Sequence, residues 1–225
     1  MRRWSACRSP WSGKQKRAAA EYDVPLGNGA AGREQPVTES DEYILGNIRN
    51  MVWSGFYTPE DVDQTIDETL EDDADGAFLR AAVLPEFAKK AAAEATWSEI
   101  TDCDRLNEAF RQLNAQGIVA MQNAGYTMSD GRHDVLALAK ERGQSHVRGY
   151  CFYHGQDLER AVDGMGLWLA FGSLNDDAAA KAAVGRSIAE VLTGHGFDVD
   201  WNGDPETRLS LPRIEWKRRG PGARL

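Results

Sequence analysis

Cysteine is scarce in this chain, with Cys7, Cys103 and Cys151 widely spaced over 225 residues and no C-x-x-C pair among them. An odd number at such spacing excludes a disulfide framework and a thiolate zinc site, so three reduced thiols are expected. Histidine is also sparse. His133, His146, His154 and His195 include no i, i+4 pair that would present two imidazoles on one helical face, and no metal or cofactor is implied. No apolar run approaches the roughly 18 residues of a membrane span, and the start lacks the apolar segment of a secretory signal. The expectation is a cytoplasmic protein with no membrane partner.

Positive charge is missing from the middle of the chain. Residues 1–37 hold seven Lys/Arg against three Asp/Glu, and residues 217–225 hold four against none. That leaves 15 basic and 32 acidic residues over 38–216, more one-sided than the net charge of −9 suggests. Such a body repels phosphate backbones, which excludes direct nucleic-acid binding by the folded part and suits a basic protein partner. Residues 1–37 have no sustained periodicity and are rich in Gly, Ser, Pro and basic residues. They read as a disordered basic tail, the competing reading being an arm that touches nucleic acid with Trp4 and Trp11.

Residues 38–218 read as a single α/β domain with a helical subregion at about 40–100, and 219–225 as a second tail. Ser40 is placed to cap a helix carrying Ile44, Ile48 and Val52 at four-residue spacing. Thr58-Pro59 opens the next, with Val62, Ile66 and Leu70 as its stripe. Around that stripe lie Asp61, Asp63, Asp67, Glu68, Glu71, Asp72, Asp73 and Asp75. Glu71-x-Asp73-x-Asp75-Gly76 matches the start of an EF-hand loop, but the twelfth position is Ala82, which leaves the calcium shell incomplete. A solvated acidic helix end is the better reading. Several of these carboxylates follow a helix C-terminus, where the dipole disfavours them, and this hints at a partner.

Gly76 to Trp97 is Ala-rich and helical, with Pro85 either kinking one helix or opening a second. Thr101 caps a helix that Gly117 stops. Strands and helices then alternate: strand 118–122, helix 134–142, strand 149–153, helix 156–163, strand 167–171, helix 176–193, strand 197–201, and an edge strand within 208–217 interrupted by Pro212. The expected architecture is α/β, or α+β, with a helical N-terminal segment followed by one mixed, partly parallel sheet. The helix between strands 149–153 and 167–171 is short for a parallel crossover, which keeps the α+β alternative open.

If strands 118–122 and 149–153 are parallel neighbours, their carboxyl ends bring Asn123, Tyr126, Ser129 and Asp130 near His154, Gln156 and Asp157, a position at which open sheets bind ligands. His154 is then a candidate general base oriented by Asp157 or Asp130, with Asn123 and Gln156 positioning a small ligand. The competing reading makes Asp157 and Ser129 helix caps and His154 a structural hydrogen-bonding group. The candidate ligand or partner site is therefore Asn123, Tyr126, Asp130, His154, Gln156 and Asp157. Cys151, inside a buried strand with no adjoining base, is a poor nucleophile. The glycines of Gly164-Met165-Gly166 precede a strand, whereas a dinucleotide-binding loop follows one.

The blocks VWSGFY (52–57), TDCDRL (101–106), NAGYTMSDG (123–131), RGYCFYHGQDLERAV (148–162) and LAFG (169–172) resemble an uncharacterised bacterial domain family of unknown function over about residues 40–218. The resemblance implies a family boundary but no catalytic residue. The segment GHGFDVDWNGD (194–204) is similar to the close of acidic regulators that bind and inhibit ribonuclease E, which implies a regulatory binding role.

Overall fold

The computed structural model describes residues 36–143, 146–175 and 177–221. The expectations for residues 1–35 and 222–225 lie outside these. Contacts group the described residues into two compact units, 36–97 with 219–221, and Ser98–Arg218.

The first unit is helical, with α1 (Glu39–Ser54), α2 (Pro59–Thr69) and α3 (Gly76–Glu94). Their apolar stripes meet in one core of Ile44, Ile48, Met51, Val52, Val62, Ile66, Leu79 and Val83. Burying each such side chain contributes about 1.5–3 kcal/mol, against about 1 kcal/mol for a helix cap, so packing holds the unit and the caps set where its helices begin. The cap of α1 is Thr38 rather than Ser40. Thr38 Oγ1 accepts the Asp41 N–H at 3.1 Å while Asp41 Oδ2 accepts the Thr38 N–H at 2.9 Å. This is a reciprocal capping box; Ser40 instead donates to Glu71 at 3.2 Å.

Pro85 neither ends α3 nor opens a second helix. It is exposed, as is Ala81, whose carbonyl the missing N–H would have bonded, so that acceptor is on the solvent side of the helix. At the far end of α3, Gly220 donates its N–H to Glu94 (3.2 Å), and Arg219 lies 6.0 Å from the Trp97 ring centroid.

The second unit runs α4 (Asp102–Ala115), β1 (Ile118–Met121), α5 (Met128–Arg142), β2 (Gly149–Phe152), α6 (Gly155–Val162), β3 (Leu167–Ser173), α7 (Ala178–Gly194) and β4 (Leu209–Leu211). One mixed sheet has the order β1-β2-β3-β4. β1 and β2 are parallel, with Ile118 opposite Gly149, while β2/β3 and β3/β4 are antiparallel. The eight residues of α6 thus join antiparallel neighbours, for which no long crossover is needed.

Pleating sends Val119, Tyr150, Phe152 and Ala170 to one face, where Val135 and Ala139 of α5 cover them. On α5, Gly131 lets the helix approach so closely that an added Cβ would come 2.4 Å from the Phe152 ring. The opposite face carries Cys151, Leu169 and Phe171. There α7 packs through Val184 and Gly185, the latter against Phe171 and Trp201.

Two elements of this unit differ from expectation. α5 begins at Met128, because Thr127 and Asp130 form a capping box six residues before the expected start. The segment 197–201 alternates buried and exposed side chains as a strand would, yet makes a single bridge, Asp200 with Ser210. Its partner among the described residues, β4, ends at Leu211 after three residues, since Pro212 offers no N–H to continue a ladder. The outer edge of β1 is closed by a side chain: Asn114 donates to the Ala120 carbonyl (2.9 Å) and accepts its N–H (3.1 Å), standing in for a missing strand.

Candidate functional site

The parallel pairing of β1 and β2 places their carboxyl ends together, and the loops beyond continue side by side. Ala124 donates to the Tyr153 carbonyl (2.9 Å), Gly155 to that of Gly125 (3.0 Å) and Gln156 to that of Tyr126 (3.2 Å). Asn123 begins the turn with φ of 50°, the left-handed conformation that Asn tolerates better than most residues. The Tyr126 ring lies against Gly155, where an added Cβ would come 2.6 Å from Cδ2. Asn123, Tyr126 and Gln156 are half-buried and Asp130 is exposed.

His154 and Asp157 lie deeper, at 5 % and 3 % exposure. Asp157 Oδ2 is the hub of the junction. It accepts from the His154 backbone N–H at 3.3 Å and from Arg208 Nη2 at 2.5 Å, and His154 Nε2 stands 3.1 Å away. Nδ1 of the His154 ring is buried with no hydrogen-bond partner. Burial pulls the His154 pKa below its ordinary 6.5; Asp157 opposes that shift, Arg208 adds to it and Asp130 opposes it. Hydrogen bonds from the Thr127 backbone and hydroxyl hold Asp130 below the usual carboxylate range, with His154 a lesser influence. Asp130 is therefore first a helix cap and only electrostatically a neighbour of His154.

Three further residues belong to the junction. Arg208 donates through Nη2 to the Trp168 carbonyl (3.0 Å) as well as to Asp157, and the Arg160 guanidinium carbon stands 4.5 Å from the Trp168 ring centroid. Nothing local in the sequence marks Arg208, which is 51 residues beyond Asp157. Arg160 is six residues after His154 on the same short helix, and its i+3 spacing from Asp157 was the available signal. The thiols of Cys103 and Cys151 are pushed up to about 12 by burial, so neither supplies a thiolate near neutrality.

A cavity of about 360 Å³ opens between α4 and α7 and is lined by Gln112, Gln116, Ser187, Glu190 and His195 among others. His195 Nε2 there meets Gln112 Oε1 at 2.9 Å.

The first unit carries a different surface. Asp63, Asp67, Glu68, Glu71, Asp72 and Asp73 are exposed on α2 and just past its C-terminus. Among the described residues Arg80 alone forms ion pairs with them, reaching Asp63 at 3.4 Å and also Asp67. Asp75, aligned above with a calcium-loop ligand, instead caps α3 by accepting from Ala77 and Phe78 (3.1 Å each).

A family model described as a domain of unknown function, DUF6891, matches residues 38–220. The chain belongs to the DUF6891 family. Comparison with curated proteins and with solved structures returns no match. The DUF6891 match runs through both units and leaves out the basic N-terminal stretch. No helix among the described residues is long and apolar enough to cross a membrane.

Proposed function

We propose that this DUF6891 chain is a regulatory binding module whose acidic helical unit docks a basic segment of a protein partner. The observation that carries the reading is the run Glu68, Glu71, Asp72 and Asp73. These exposed carboxylates crowd the C-terminal end of α2, which has no basic residue in its last turn. The negative end of the helix dipole opposes them there, and so does their mutual repulsion, a cost that a cationic partner removes on binding.

The test titrates a lysine- and arginine-rich peptide into the full chain at low and high salt. Binding should weaken as salt rises. It should also be lost in a variant with Glu68→Gln, Glu71→Gln, Asp72→Asn and Asp73→Asn, but kept when Glu141, Glu190, Asp200 and Asp204 are neutralised instead. Equal loss in both variants would reduce the effect to net charge and defeat the proposal.

A second reading, small-ligand binding at the β2–α6 junction, is favoured by the buried, unpartnered Nδ1 of His154, which in the Nε2–H tautomer accepts from a ligand hydroxyl or N–H. Ring-nitrogen NMR checks it. The reading expects an Nε2–H tautomer with an Nδ1 resonance that small alcohols or amines displace. An Nδ1–H tautomer would refute it.

A further inference from the structure

Trp168 is clasped by two arginines from different elements. Arg160, on α6, covers the face of its ring, and Arg208, just before β4, bonds its carbonyl. Asp157 pairs with Arg208, whereas Arg160 forms no ion pair among the described residues. The Nε of each arginine is buried without a hydrogen-bond partner. One residue thus touches two guanidiniums, Arg160 through its ring and Arg208 through its backbone carbonyl, and only one of the two is paired with a carboxylate.

An unmet buried donor is costly, and a guanidinium presents Nε and Nη as a planar fork that matches two oxygens of a carboxylate or phosphate. Both arginines are half-buried, so their side chains remain in part open to solvent. We infer that the Arg160–Trp168–Arg208 clasp is an oxyanion site, taking the carboxylate or phosphate group of a small ligand. Arg208 has a double role in it. Its Nη2 is held by Asp157 and the Trp168 carbonyl, which fixes the head and leaves Nε for the incoming oxygen. The site is independent of the acidic face of the first unit, and it names a ligand class for the junction.

The experiment titrates inorganic phosphate and, separately, acetate into the full chain in a buffer free of oxyanions, following the Trp168 indole N–H and the arginine Nε–H signals by NMR. Saturable shifts confined to these groups are expected, and whichever anion saturates at lower concentration identifies the preferred oxyanion. Arg160→Gln should raise the dissociation constant at least about tenfold while leaving the melting temperature in place, since it breaks no ion pair. Arg208→Lys keeps the charge but loses the Nε–H donor, and should weaken binding comparably. If it disturbs folding through Asp157, Arg160→Gln alone decides. Absence of saturation with either anion, or equal affinity in wild type and Arg160→Gln, would overturn the assignment. The four-carboxylate variant of α2 should bind phosphate as the wild type does, so this site and the acidic face stand or fall separately.

Discussion

Each unit buries one carboxylate at the third position of a helix, and the two are used in opposite ways. Asp41, fully buried, accepts backbone N–H groups from Thr38 (2.9 Å) and Asp75 (2.8 Å), so one side chain ties the start of α1 to the start of α3. Asp157, almost as buried, accepts only one backbone N–H, that of His154, and stands against an imidazole and a guanidinium as well. Backbone donors neither titrate nor rotate away. A carboxylate spent on them is a staple, whereas one spent on His154 and Arg208 holds groups whose charge and hydrogen bonds remain available to a ligand.

The largest expected effect lies on the staple. Asp41→Ala removes the reciprocal half of the α1 capping box and orphans the Thr38 and Asp75 N–H groups, for a loss of roughly 3 kcal/mol. Urea unfolding measures it, and a loss under about 1 kcal/mol would show that neither bond matters to the helical unit.

Asp157→Ala should cost somewhat less, about 2 kcal/mol, because the partly exposed Arg208 recovers some hydration when its partner goes. Asp157→Asn retains an acceptor for the His154 N–H and should cost less again. By removing the carboxylate that opposes the burial shift, it should also lower the His154 pKa further, read by ring NMR. A raised pKa in this variant would contradict the hub geometry.

The third expectation concerns pH. With the folded pKa of His154 held below 6.5, the unfolded chain takes up this proton first as the solution is acidified. Stability from this group is therefore complete above about pH 6.5 and falls as the pH drops toward the folded pKa. The difference between wild type and His154→Phe in melting temperature, followed from pH 8 to pH 5 in about half-unit steps, isolates this contribution from the carboxylates. A difference that stays flat across the range would place His154 in water.

Smallest, and of opposite sign, is the effect of neutralising Glu71, Asp72 and Asp73. Each removal of a charge from the negative end of α2 should stabilise by about 0.3 kcal/mol. A fall in melting temperature would mean that these carboxylates serve the fold, and would remove the stability–binding conflict on which the partner proposal rests.

Much of the fold is written locally. Thr38, Thr58, Thr101 and Thr127 are each followed three residues later by an aspartate, and all four pairs close as capping boxes. The pattern was there to read at Thr38 and Thr127, where Ser40 and a start at 134 were expected instead. Buried strands were legible as short apolar runs between glycines. Only the segment 197–201 misled, because alternation reports which side chains face inward but not whether a partner strand is long enough to pair. The candidate site was legible where it depends on neighbours in sequence, as with His154 and Asp157. Arg208 and its link to Trp168 were not.

What the sequence determined by itself is what acts over a few residues: the helix starts, the apolar stripes, the acidic run after α2 and the spacing that sets His154 one turn before Asp157. Tertiary structure alone decided the antiparallel return of β3, the Asn114 side chain that closes the edge of β1, the Asp41 tie to α3 and the two arginines on Trp168. Those contacts join residues far apart in the chain, and which pairs meet is set by how the packed elements fill space and satisfy buried polar groups, not by any local preference.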